Sequence, residues 1–222
     1  MKKLFFSLVV ALFYLSCSNG GGGSTSSSSN GGNGSSLAEN QVMIPNENGE
    51  AEKPYKNSGK IYLADVRNHS NGQPILTDST IVEAGTIING DVVLTLPTNI
   101  DSRFLKKMES APAGLNVEPL GVEIWFYTDP FRLLSNGKHT GNLEYAKKSN
   151  GVYHRIVYWY FSKDAKINGS NGEGGGIEYK IEAKKYWNKI YFKMDIEDES
   201  AYITTDLSKV PDGLAWLIWE ID

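Results

Sequence analysis

Between residues 177 and 184 the chain reads Ile177-Glu178-Tyr179-Lys180-Ile181-Glu182-Ala183-Lys184. Every second side chain is apolar and each one between is charged. Successive side chains of a strand point to opposite faces of a sheet. The stretch therefore predicts a half-buried antiparallel strand with one dry face and one wet face. Val122 to Tyr127 alternates less cleanly. Arg155 to Phe161 is nearly all apolar and aromatic, which suits a central strand covered on both sides. Tyr186 to Met194 and Leu214 to Ile221 also read as strands, and Ile203 to Thr205 as part of another.

The first half carries its own turn signals. Thr86-Ile87-Ile88 and Val92-Val93-Leu94-Thr95-Leu96 flank Asn89-Gly90-Asp91. Asn-Gly between apolar runs marks a hairpin, because both central residues of a type I′ turn need positive φ. Asp91 is expected to extend that loop by one residue. Gly59 to Val66 reads as a preceding strand, with a turn at Asn71-Gly72. One short helix is expected, capped by Asp101, with Phe104, Leu105 and Met108 on one face. Many short strands between turn cues predict an all-β fold: an antiparallel β-sandwich, Greek-key or partly open barrel, with at most one short helix.

The front of the chain is of another kind. Met1-Lys2-Lys3 is positive, and Leu4 to Leu15 is apolar apart from Ser7. These are the parts of a secretory signal peptide. The run is shorter than the ~20 residues that a transmembrane helix needs. Tyr14-Leu15-Ser16-Cys17 resembles the lipobox of bacterial lipoproteins, although the family's usual leucine three places before the cysteine is Tyr14 here. The resemblance implies cleavage before Cys17 and a diacylglycerol on its sulfur. Two or more acyl chains anchor a protein stably, whereas one does so only marginally. Cys17 is the only cysteine, so lipidation also accounts for a thiol with no disulfide partner in an exported chain.

Ser18 to Ser36 contains only Gly, Ser, Asn and Thr. Such a segment has nothing to bury against its ordering entropy, and as a flexible coil it spans about 25 Å. Leu37 to Asn57, with two prolines and weak periodicity, reads as more linker. The expected organisation is a signal peptide over 1–16, lipidated Cys17 and linker over 17–57, and a β-sandwich-like domain over 58–222.

Further resemblances concern the domain. Gly59 to Asp65, Asn71 to Ile75 and Gly85 through Pro97 together resemble the carboxypeptidase-regulatory or transthyretin-like β-sandwich module, over residues 59–98. That implies a Greek-key sandwich and carries over no active site. Lys185 to Tyr191 resembles a strand near the end of small lipoproteins from spirochaetes and Bacteroidetes. With Ser18 rather than aspartate after the cysteine, the lipoprotein resemblance implies an outer-membrane destination. Which face of that membrane the domain occupies stays open.

Recognisable chemical motifs are few. The formal net charge is −4, and no basic run points to nucleic acid, whose binding depends on phosphate neutralisation. His69, His139 and His154 show no metal-ligand spacing, and no G-x-S-x-G elbow is present. A Ser-His-Asp set assembled only in space stays open. Asp195, Glu197, Asp198 and Glu199 form an acidic run, read as a solvated hairpin tip rather than a calcium loop since the EF-hand glycine and spacing are lacking. Asn168 to Gly176 reads as a mobile hairpin loop. No catalytic residue, cofactor or metal is assigned.

The remaining candidates are the five tryptophans, Trp125, Trp159, Trp187, Trp216 and Trp219. Exposed aromatics stack on sugar rings or anchor protein partners; the alternative is core packing in a domain without disulfides. The functional expectation is a lipid-anchored envelope lipoprotein with a non-enzymatic binding or structural role and a membrane, protein or glycan partner. Carbohydrate binding through exposed tryptophans is second, and an envelope hydrolase third.

Overall fold

The computed structural model describes residues 40–220 apart from 66–68, 71–72, 75, 109–110, 128–129 and 172–175. The signal segment 1–16, Cys17, linker residues 17–39 and the Asn71-Gly72 turn lie outside the described residues. The strands of the first half are β1 (Val42–Pro45), β2 (Ala51–Pro54), β3 (Gly59–Ala64), β4 (His69–Ser70), β5 (Gln73–Pro74), β6 (Ile81–Ile88), β7 (Asp91–Leu94), β8 (Lys106–Lys107) and β9 (Leu115–Glu118). Those of the second are β10 (Ile124–Tyr127), β11 (Phe131–Ser135), β12 (Lys138–Ser149), β13 (Val152–Phe161), β14 (Ala165–Asn171), β15 (Ile177–Ala183), β16 (Tyr186–Asp195), β17 (Ser200–Thr204) and β18 (Ala215–Glu220). All but the β4–β5 pair join one large sheet. The fold is all-β and sandwich-like.

Two long strands organise this sheet. β12 carries β11 and then β13 along one edge and β18 along the other. β13 carries β12 and then β10 on one edge and β16 on the other. The sheet therefore divides into two leaves joined by the β12–β13 hairpin. One leaf runs β7-β6-β3-β11-β12-β18-β1-β2, and the other β8-β10-β13-β16-β17-β15-β14-β9.

The alternation of the side chains distributes the core. Ile177, Tyr179, Ile181 and Ala183 are buried while Glu178, Lys180 and Glu182 are exposed, as the period of two requires. β13 is buried on both faces. Ile156 and Tyr158 join the cluster of Ile61, Leu63, Ile87, Leu133, Leu143 and Ile218, which lies between the leaves. Val157, Trp159 and Phe161 join a second cluster with Ile167, Ile181, Ile190 and Ile203, built by the second leaf alone. That leaf must curl to enclose it. A run with no polar alternation is what a strand with two dry faces demands.

Asn89 (φ 52°) and Gly90 (φ 89°) form the expected turn, with the positive φ at both positions that type I′ requires. Asp91 does not extend the loop, because it pairs with Ile88 as the first residue of β7. Asn136-Gly137 and Asn150-Gly151 repeat the same signs of φ and close the β11–β12 and β12–β13 hairpins.

Three expectations need correction. The ladders are not all antiparallel: β1 runs parallel to β18 and β15 parallel to β17. The part of the expected linker within the described residues is not loose, since 42–45 and 51–54 are strands of the sheet. Val42 is buried among the residues between the leaves, and Met43 packs with Ala146, Ala215 and Leu217 on the opposite face. A four-residue strand buried on both faces and ended by Pro45 leaves no periodicity to read. The expected helix is a single 3₁₀ turn, Ser102–Phe104, whose Asp101 side chain accepts from Arg103 N–H. Phe104 and Leu105 enter the inter-leaf core, while Met108 packs on the other cluster.

Candidate functional site

The first leaf curls until its far strand returns to its near one. Gln41 bridges Asp91, Val42 N–H donates to Gly90 O at 2.7 Å, and Val92 N–H donates to Asn40 O at 2.8 Å. The contact stops there, and the sheet is not closed into a barrel. Beyond it Val92, Leu94 and Leu96 face the aromatic side of β12, β13, β16 and β18 across a cleft of about 450 Å³. That volume lies within the range of small-molecule pockets.

Four aromatic side chains from four strands face this gap: Tyr145, Tyr158, Trp187 and Trp216. Their register brings them together. Tyr145 lies opposite Trp216 on β18, ring centroids 5.2 Å apart. Phe131 backs the group, 5.6 Å from Tyr158 and 6.2 Å from Trp216. Trp187 is fixed by its indole N–H, which donates to Pro97 O at 2.8 Å. The rim consists of Asn40, Asn188 and Lys189. Asn188 is committed to its own turn: its amide donates to Lys184 O and Tyr186 O, and its oxygen accepts from Lys184 N–H. Burial pushes the Tyr158 phenol well above the usual range, with nearby Tyr145 a smaller contribution in the same direction. It is a neutral hydroxyl at any physiological pH.

The structure thus separates the five tryptophans. Trp187 and Trp216 share the cleft. Trp125 lies beside it in a cross-strand row, Trp125 opposite Tyr160 opposite Trp187, with centroid distances of 5.9 and 5.5 Å. The rings stand edge to face, at 65° and 81°, so the row is not a flat platform. Lys107 extends it, with Nζ 5.7 Å from the Trp125 ring. Trp159 is core packing, 5.7 Å from Phe126 and 6.3 Å from Phe161. Trp219 is 37% exposed near Gly49 and Lys148. Tyr145, Tyr158 and Lys189 were not among the candidates. The Asn-Gly pairs at 136–137 and 150–151 were the signal that would have aligned β12 and β13 and so found the two tyrosines.

Neither His139 nor His154 lines the cleft. His154 Nδ1 is 2.7 Å from the Tyr191 hydroxyl, and His139 Nε2 is 3.1 Å from Gly141 O. His69 lies on β4. The acidic run forms the turn between β16 and β17, where Asp195 accepts from Glu197 and Asp198 N–H. Among the described residues no group of three or more His, Cys, Asp or Glu side chains converges on a metal position. Within the Gly-rich stretch, residues 168–171 belong to β14, and 172–175 lie outside the described residues. No described helix is long and apolar enough to cross a membrane. Compared with protein-family models, curated proteins and solved structures, the chain matches none.

Proposed function

We propose that the chain is a lipid-anchored bacterial cell-envelope lipoprotein, held at the outer membrane through Cys17, with a non-enzymatic binding role. The cleft between β7 and the Tyr145–Tyr158–Trp187–Trp216 wall is its ligand site. The observation that carries this is the convergence of four aromatic side chains from four strands on one gap of pocket size. A gap lined in this way is the usual setting for a small ligand. The anchor rests on the lipobox resemblance, and mass measurement of the native N-terminus tests it. A diacylated Cys17 as first residue is expected; retained upstream residues contradict it.

The cleft is tested by filling it. Screening soluble ligands by thermal shift gives compounds that stabilise the protein, by about 2.7 kcal/mol at a hundredfold excess over Kd. Leu94→Trp, which fills the gap, abolishes those shifts. Shifts that persist in the variant contradict the assignment.

A second reading has its own observation. The Trp125–Tyr160–Trp187 row lies in register across three strands; its rings stand edge to face, so a sugar would stack on one ring face, such as that of Trp125, rather than on the row. A glycan array separates the readings: a signal lost in Trp125→Ala supports carbohydrate, and a blank array counts against it.

A further inference from the structure

The cleft is chemically uneven, and the unevenness specifies a ligand class. Lys189 is the one charged side chain among its lining residues. It is exposed, and among the described residues it makes no hydrogen bond or ion pair. It lies directly across from Tyr158 in the β13–β16 ladder and two places from Trp187. Its place in the ladder sets it beside aromatic residues, and a long cationic side chain on such a wall keeps its charged head in water.

Two of the polar groups beside Lys189 are spent, while Asn40 and the Tyr145 and Tyr158 hydroxyls also line the cleft. Trp187 Nε1 donates to Pro97 O, and the Asn188 amide and carbonyl close the turn at Lys184–Tyr186. A sugar presents hydroxyls around its whole edge, and burying them without partners is costly. Beyond the spent groups, the cleft meets that edge with Asn40, two phenol hydroxyls and a single charge, Lys189. The chain as a whole carries a net charge of −4, so its overall field does not attract anions. Any preference for them here is local to Lys189.

Taking the cleft as the binding site, we infer that it holds a small amphiphile with an apolar body and a single anionic end group. The body lies against Tyr145, Tyr158 and Trp216, and the anion meets Lys189 Nζ. A water occupies about 30 Å³ of liquid, so the gap displaces roughly fifteen waters. That suits a ligand of about that many non-hydrogen atoms, the size of an arylalkanoate or a medium-chain carboxylate.

The test compares 5-phenylvalerate with 5-phenylpentanol by calorimetric titration of the full chain and of Lys189→Met. The two probes share a body and differ in the charged end. Simple partitioning favours the alcohol, since ions desolvate at a cost. The expected result is that the carboxylate binds the wild type more tightly than the alcohol does. Lys189→Met then weakens the carboxylate about fivefold, the scale of one exposed ion pair, and leaves the alcohol unchanged. Binding of both probes with no preference, or a carboxylate preference that survives Lys189→Met, overturns the anionic class while leaving the cleft a binding site. If neither probe binds, and no compound in the thermal screen does either, the cleft reading itself fails. Lys189 is exposed and makes no hydrogen bond or ion pair among the described residues, so the variant folds as the wild type does.

Discussion

His154 shows how one side chain's neighbours decide its response to pH. Its ring stacks parallel to Tyr191 and meets the Tyr191 hydroxyl. On the flanking strands it pairs with Lys147 and Lys193. Burial is the first cause that lowers its pKa, and Lys193 and Lys147 add to it. His139 shifts the same way through burial and Arg132. For a depressed histidine the unfolded chain takes up the proton first. Stability is therefore full above the ordinary value near 6.5, declines as pH falls below it, and levels off once the folded form is also protonated. Melting curves between pH 8 and 5 are expected to show this decline, and His154→Gln to reduce it. A pH-independent melting temperature in the wild type, or an unchanged slope in the variant, contradicts the assignment. Local physics also defeats one reading. The loop expected over 168–176 begins later than its glycines suggest, because 168–171 lie within β14. Gly169, at φ 131°, faces β9 so closely that a Cβ would stand 2.1 Å from Gly114 O. Its glycine serves close approach between strands rather than reversal of the chain.

The β12–β13 hairpin holds a buried ion pair where the two leaves join. Arg155 Nε lies 3.4 Å from Glu144 Oε2, both side chains 6% exposed, and the Tyr153 hydroxyl donates to the same oxygen at 2.5 Å. Removing one charge leaves the other buried with less compensation, at a cost of about 3–5 kcal/mol. Glu144→Leu and Arg155→Met are each expected to lower stability on that scale in urea titration. The double variant Glu144→Leu with Arg155→Met is expected to lose clearly less than their sum. Strict additivity contradicts the coupling. The same hairpin marks the limit of what was legible in the letters. β15 was readable because its alternation is unbroken, and β13 because its apolar run is. β12 was not: Lys138 to Ser149 mixes Lys, His, Thr, Asn and Glu into its pattern. Its Glu144 is tolerable in a buried position only because Arg155 and Tyr153 arrive from the next strand. A polar residue made apolar in effect by a distant partner cannot be recognised by period. β1 escaped notice for a related reason, since its place depends on an open edge of β18 at the far end of the chain.

Taken whole, the molecule is two leaves hinged on long strands, with a gap where the first leaf runs out of sheet. The all-β character followed from strand periods and turn residues, which act locally. The gap did not, because it depends on where β7 comes to lie against β12, β13, β16 and β18. Two of its aromatic residues, Trp187 and Trp216, stood among the candidates by residue type alone; the register that sets them beside Tyr145 and Tyr158 is a property of the assembled sheet. The same assembly sends Trp159 into the second core and Trp219 to another surface. The five indoles therefore form a built-in set of reporters. Indole N–H resonances, assigned and followed by NMR during titration with 5-phenylpentanol and then 5-phenylvalerate, read out the cleft directly. Trp187 and Trp216 are expected to shift together and saturate at one ligand concentration, with Trp159 and Trp219 unmoved. Saturable shifts at Trp219 or Trp159 while Trp187 and Trp216 stay still would place the ligand elsewhere and contradict the cleft as the site.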